Sequence, residues 1–94
     1  SSDTVIDDET FAQLQDIYSN LVELHTTVAD AVNDGTIEAD AETVDLLNQA
    51  ADVIKEIGDI EQTDFTDEDE ALQLVDSMSK MADGLAAVAG VDAE

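Results

Sequence analysis

An all-α fold, an antiparallel up-down-up bundle of three helices with heptad-like seams, is what this sequence predicts, and three observations predict it. Apolar residues recur by alternating steps of three and four in three long stretches, the period of one helix face. Each stretch opens on a residue suited to cap a helix, and the first closes on Asn33-Asp34-Gly35. Proline, which costs about 3 kcal/mol inside a helix, is absent. The expected domain is 1–94, with helices over about 8–33, 40–61 and 67–89.

The first stretch organises the rest. Phe11, Leu14, Tyr18, Leu21, His25, Val28 and Val32 form its stripe, widened by Ile17, Leu24 and Ala31 on one flank and by Val22 and Ala29 on the other. A stripe this wide suits a helix with two neighbours. Val5 and Ile6 are candidate anchors ahead of it, and Asp7 is the candidate N-cap. With that cap, Ile6 and Phe11 have the spacing of a hydrophobic staple. Ile37 in the first link is placed to plug one end of the core.

Asp40 is the next candidate N-cap, and Leu46, Ala50, Val53, Ile57 and Ile60 form the second seam, flanked by Leu47 and Ile54. This helix is expected to end near Ile60 or Glu61, with Gly58 either admitting a neighbour closely or starting the unwinding. Gln62 to Phe65 is the second link. Thr66 is the expected cap of the third helix, with Asp69 at capping-box spacing. Its seam is Ala71, Leu74, Met78, Met81, Leu85 and Val88, flanked by Val75, Ala82 and Ala89, and it fades by Gly90 into a polar tail, Val91 to Glu94. Short links make sequential helices antiparallel. Lys55 has Asp52 and Asp59, and Lys80 has Asp76 and Asp83, at helical pair spacing.

Charge is the anomaly. The chain carries 25 acidic residues against two lysines and no arginine, a formal net charge of -23. No basic patch for nucleic acid or anionic lipid can form, so direct nucleic-acid binding is excluded. No apolar run approaches the roughly 20 residues of a membrane-spanning helix. The opening Ser-Ser-Asp-Thr lacks the basic and apolar regions of a signal peptide. The expected localisation is soluble, cytoplasmic or virion-associated. Without cysteine, no disulfide, zinc-thiolate site or thiol nucleophile is available. The abundance of aspartate, alanine, valine and threonine resembles proteins of salt-loving organisms, although those usually keep some arginine.

Few residues offer chemistry. His25 stands alone on the apolar stripe, without a second histidine or a cysteine. It is expected to be a structural histidine at the seam rather than a metal ligand, proton shuttle or pH switch. Asp59, Glu61, Thr63, Asp67 and Glu70 place oxygens at positions one, three, five, nine and twelve of a loop between two helices. That pattern resembles the EF-hand loop and would imply calcium. It departs from the family where Asp64 replaces the turn glycine and Thr66 an aliphatic residue. The first link, Asp34-Gly35-Thr36-Ile37, resembles the core of such loops, but Val32 stands where an acid is needed. The simpler reading of both links is a pair of capped helix ends. Met78 and Met81 read as core filling. There is no phosphate loop, no serine–histidine constellation and no HExxH-type motif, and no cofactor is implied.

Function is therefore sought on the surface. The leading expectation is a non-enzymatic structural, assembly or adaptor protein, such as a virion component or a protein of a high-salt organism, bound to a protein partner that is basic or part of a larger assembly. Val44 and Leu72 fit their seams least well and are candidate exposed contacts, with the acidic run Asp67, Glu68, Asp69 and Glu70 beside the latter. The alternative is a nucleic-acid mimic whose carboxylates occupy the basic site of a DNA- or RNA-binding protein. Such a mimic needs acids in concentrated rows, whereas acids here spread over all three helices and both links. An extracellular repeat module is a further reading, without sibling repeats to support it.

Overall fold

Three aspartates open the three helices. Asp7, Asp40 and Asp67 each stand in extended backbone and accept the N–H of the residue three further on, Thr10, Thr43 and Glu70, at 2.8 Å. Each cap satisfies one of the N–H groups that a helix start leaves without a partner. The computed structural model describes residues 6–90, so the Val5 anchor and the tail 91–94 lie outside the described residues. Helix α1 is Asp8–Asn33, α2 is Ala41–Ile57 and α3 is Glu68–Ala89, with a 3-10 turn at Gln62–Asp64 between the last two. All three pairs of helices are in contact, which makes the fold an all-α three-helix bundle.

Burial follows a seven-residue step. Leu14, Leu21 and Val28 of α1, Thr43, Ala50 and Ile57 of α2, and Ala71, Met78 and Leu85 of α3 are all buried. A side chain every seven residues returns to nearly the same face, so each helix presents one such row to the bundle axis. Half-buried residues flank the rows, among them Phe11, Ile17 and Leu24 in α1, Leu46 and Val53 in α2, and Leu74 and Met81 in α3. Ile6 is fully buried and Phe11 packs against the same cluster, as the staple requires. His25 is half-buried on α1.

Helix directions follow from three contacts. The Thr10 hydroxyl donates to Glu68 Oε2 at 3.3 Å, which sets the starts of α1 and α3 side by side, so these two run parallel. The Tyr18 hydroxyl donates to the Ile54 carbonyl at 3.4 Å, joining the early part of α1 to the late part of α2. A Cβ on Gly84 would stand 3.0 Å from Leu46 Cδ2, which sets the end of α3 against the start of α2. The order is up-down-up, and the parallel pair α1–α3 shares the most extensive interface. The body measures 50 × 25 × 17 Å.

The links close the two ends. At one end Gly35 takes φ +85°, the left-handed conformation expected of it, and Asp34 accepts from both the N–H and the hydroxyl of Thr36. Ile37 then turns in against the core. At the other end the structure departs from expectation. Helix α2 stops at Ile57, three or four residues short of the predicted end. Gly58 caps it, and a Cβ there would lie 3.0 Å from the Tyr18 hydroxyl, so the glycine serves both close approach and termination. Ile60 still reaches the core, but from a turn in which its N–H donates to the Ile57 carbonyl at 2.9 Å. Phe65, expected only as part of a link, is buried in the core.

The cap of α3 is Asp67, not Thr66, and the Thr66–Asp69 box is absent. Asp67 is a strong acceptor one residue nearer the helix, and Glu70, longer than Asp69, reaches back to the Thr66 N–H at 3.2 Å. Of the lysine pairs, Lys80–Asp76 forms at 3.1 Å among the described residues, while Lys55 sits in the last turn of α2, where a cation complements the helix dipole.

Leu21 and Met78 are fully buried, whereas Leu72 is 43% exposed. Leu21→Ala and Met78→Ala are expected to lose about 2–5 kcal/mol each in urea denaturation at high KCl. Leu72→Ala is expected to stay within about 0.5 kcal/mol. A large loss at Leu72 would contradict the burial pattern.

Candidate functional site

Parallel α1 and α3 bring two acidic first turns to the same end of the bundle. Asp8 and Glu9 open α1, and Glu68, Asp69 and Glu70 open α3. The antiparallel α2 delivers the second link, with Asp59, Glu61 and Asp64, to that same end. Acids from separate segments therefore meet at one acidic pole, while Asp34, Glu38, Asp40 and Glu42 lie at the opposite end. Two helix N-termini point their positive dipole ends into it and offset part of the repulsion. The pole is also tied together by neutral groups. Gln62 Nε2 donates to the Ile6 carbonyl at 2.9 Å and to Asp8 Oδ1 at 3.0 Å, which latches the second link onto the lead-in of α1.

Within the pole, an open groove of about 370 Å³ runs between the end of α2, the second link and the first half of α3. Its apolar lining is Ile60, Phe65 and Leu74, and its carboxylates are Glu56, Asp64 and Glu70. Two of those carboxylates are held by backbone. Asp64 Oδ2 accepts the Glu61 N–H at 2.8 Å, and Glu70 Oε1 accepts the Thr66 N–H at 3.2 Å. A shallower hollow around Leu72, lined also by Asp69 and Asp76, shares Gln73 and Ser77 with the groove. Leu72 thus lies beside the groove, separated from it by Gln73 and Ser77.

The structure sorts the sequence-derived candidates. Leu72 and Val44 are both exposed, at 43% and 39%. They do not form one patch: Val44 lies in the first turn of α2, which the antiparallel order places at the opposite end. Asp67, Glu68, Asp69 and Glu70 all belong to the pole, but Asp67 is spent on capping α3. Asp59, Glu61, Thr63, Asp67 and Glu70 are not gathered into a cage. Among the described residues no three acidic or histidine side chains converge where a metal ion could sit. An EF-hand loop needs glycine at its sharp turn, and here Asp64 stands at that position, in a 3-10 turn, with its carboxylate bonded to Glu61.

Glu56, Ile60, Asp64, Phe65 and Leu74 are the site residues that sequence reasoning missed. They come from three segments and meet only through the fold. One signal was available: Phe65 is one of two phenylalanines in a chain that is 3% aromatic, placed in a link rather than a seam. The chain matches no family model, no curated protein and no solved structure.

Among the described residues, three carboxyls have acidities shifted by the fold. Asp7 is held below its ordinary value of 3.8 chiefly by the Thr10 N–H. Asp40 is lowered in the same way by Thr43, and Asp34 by the hydroxyl and then the N–H of Thr36. A lowered folded-state pKa contributes stability that is present above the ordinary value and lost as pH falls through the lowered one. The overall repulsion acts oppositely, easing as pH falls from 7 toward the isoelectric point of about 4.1.

At low salt the melting temperature is therefore expected to rise from pH 7 to about pH 5 and to fall on further acidification. In about 2 M KCl the rise should flatten while the acid-side fall persists, because screening removes repulsion but not hydrogen-bonded caps. An acid-side fall unchanged in the triple variant Asp7→Asn, Asp34→Asn, Asp40→Asn would contradict this assignment.

Proposed function

We propose that this protein is a non-enzymatic adaptor or assembly subunit that holds a basic protein partner at its acidic pole. The observation that carries the reading is Leu72, the most exposed large apolar side chain among the described residues, standing between Asp69 and Asp76 and beside the apolar groove across Gln73 and Ser77. An apolar contact ringed by one sign of charge suits a protein surface of the opposite sign, with charge steering the encounter and apolar burial holding it. Catalysis finds little support. The axial rows fill the interior, the hollows are open, and the shifted carboxyls are helix and turn caps. Such a bundle suits a virion component or a protein of a high-salt cell.

A nucleic-acid mimic is the second reading, favoured by the concentration of carboxylates at the pole. Phosphate imitation has no use for Leu72 or for the Ile60–Phe65–Leu74 lining, which is why a protein partner stands first.

The test is a photo-crosslinking amino acid placed at position 72, and at 44 as control, in the full chain expressed in its native cells. A discrete adduct with one basic protein at 72, and none at 44, is the expected result. No adduct at 72, or the same adducts at both positions, overturns the reading. An adduct with a nucleic-acid-binding protein that is lost on adding duplex DNA overturns it in favour of mimicry.

A further inference from the structure

The groove has one kind of occupant that its chemistry fits. Ile60, Phe65 and Leu74 offer an apolar lining, and Glu56, Asp64 and Glu70 place carboxylates around it. We infer that this groove takes a cationic amphipathic segment of the partner, with one large apolar side chain on the lining and Lys or Arg groups on the carboxylates. This rests on the adaptor reading and names the segment that such a partner must present.

Preorganisation supports it. Phe65 is 5% exposed, so its position is fixed by the core before anything binds. Asp64 and Glu70 are held by the Glu61 and Thr66 N–H groups, yet a carboxylate has about four acceptor positions, and each keeps room for a cation. A site whose groups are already ordered loses less entropy on binding. The groove, about 370 Å³, is open to solvent rather than enclosed, so a segment of a larger partner can lie along it.

Charge removes the competing occupants. A second copy of this chain, a nucleic acid or an anionic membrane would each bring more negative charge to a protein at -23. A purely apolar segment would fill the lining but leave the three carboxylates desolvated without partners, which is costly. Leu72 gives the segment a second apolar contact next to the groove, across Gln73 and Ser77.

The probe is a designed helical peptide of about 16 residues, built of lysine and leucine with one tryptophan. Its control is a peptide of equal charge with alanine in place of every leucine and of the tryptophan. Both are titrated into the full chain at about 0.15 M salt, with calorimetry and amide NMR as readouts. Chemical-shift changes are expected to centre on Ile60, Phe65 and Leu74, and the alanine peptide is expected to bind at least about tenfold more weakly. The double variant Glu56→Gln, Glu70→Gln should weaken binding about tenfold, equivalent to about 1.4 kcal/mol. The control double variant Glu38→Gln, Asp45→Asn makes the same change of charge away from the groove and should weaken it less than twofold.

Equal weakening by both double variants, or equal affinity of the two peptides, overturns the groove and reduces the binding to bulk charge. That result leaves the adaptor reading to the adduct at Leu72. Groove binding by the peptide with no adduct at Leu72 in cells sinks the adaptor reading instead. Circular dichroism of each variant at the salt of the titration establishes that the bundle is intact before binding is compared.

Discussion

Everything in this protein depends on three axial rows of side chains overcoming the repulsion of a body at -23. Fully burying a Leu, Val, Ile or Met side chain stabilises by roughly 1.5–3 kcal/mol. The rows at Leu14–Leu21–Val28, Ala50–Ile57 and Ala71–Met78–Leu85 supply much of the core with few aromatics to help. Against them, two like charges about 10 Å apart in water repel by roughly 0.4 kcal/mol. That is small for one pair, but pairs multiply with the square of the charge, and a 10.0 kDa body cannot spread them far apart. The Lys80–Asp76 pair, exposed on both sides, offsets at most a few tenths of a kcal/mol. The seven-residue step is the constraint that keeps burial continuous, and salt is the lever that weakens its opponent.

The rows also decide where the charge goes. An up-down-up order makes α1 and α3 parallel, so both acidic first turns come to one pole and the second link joins them. Apart from Lys55 in the last turn of α2, the chain compensates there with directional, uncharged or cap-type interactions. Gln62 ties the link to Ile6 and Asp8, Thr10 donates to Glu68, and two aspartate caps feed on helix N–H groups. The same end carries the groove and Leu72. Concentrated charge and exposed apolar surface therefore coincide through topology, since nothing in the linear order of residues places Glu56 beside Glu70.

The fold was largely legible because its causes are local. Heptad spacing, the Asp7 and Asp40 caps, Gly35 and the inward Ile37 all follow from interactions a few residues apart. Where the cause was tertiary, the reading slipped. Ile60 continues the period of α2 but is buried from a turn, because Gly58 is a weak helix former set against Tyr18. Thr43 completes a buried row although its residue type suggests a surface. Phe65 sits between two acid-rich segments, with no period to mark it, yet the end of the core needs a large side chain. The groove was illegible for the same reason: its apolar lining and its carboxylates come from three segments. Val44 and Leu72 were legible as misfits to their seams, but the distance between them depends on α2 running antiparallel to α3.

Charge that serves the medium and charge that serves a partner leave different marks on a bundle. Adaptation to salt asks only for hydrated carboxylates over the solvated faces, and most of the acids on α1 and α2 stand in that way. It does not ask for carboxylates fixed by backbone N–H groups around an apolar lining, nor for a leucine left exposed among them. Asp64 and Glu70 are fixed in this manner, and Phe65 beneath them is anchored by the core rather than by solvent. Screening at high salt shortens electrostatic reach to about 3 Å at 1 M, so long-range steering fades while contacts at hydrogen-bond distance and apolar burial persist. A groove that combines the two is the form of recognition that still works in such a medium. A coat of acids suited to a salty medium and the proposed docking role are therefore compatible.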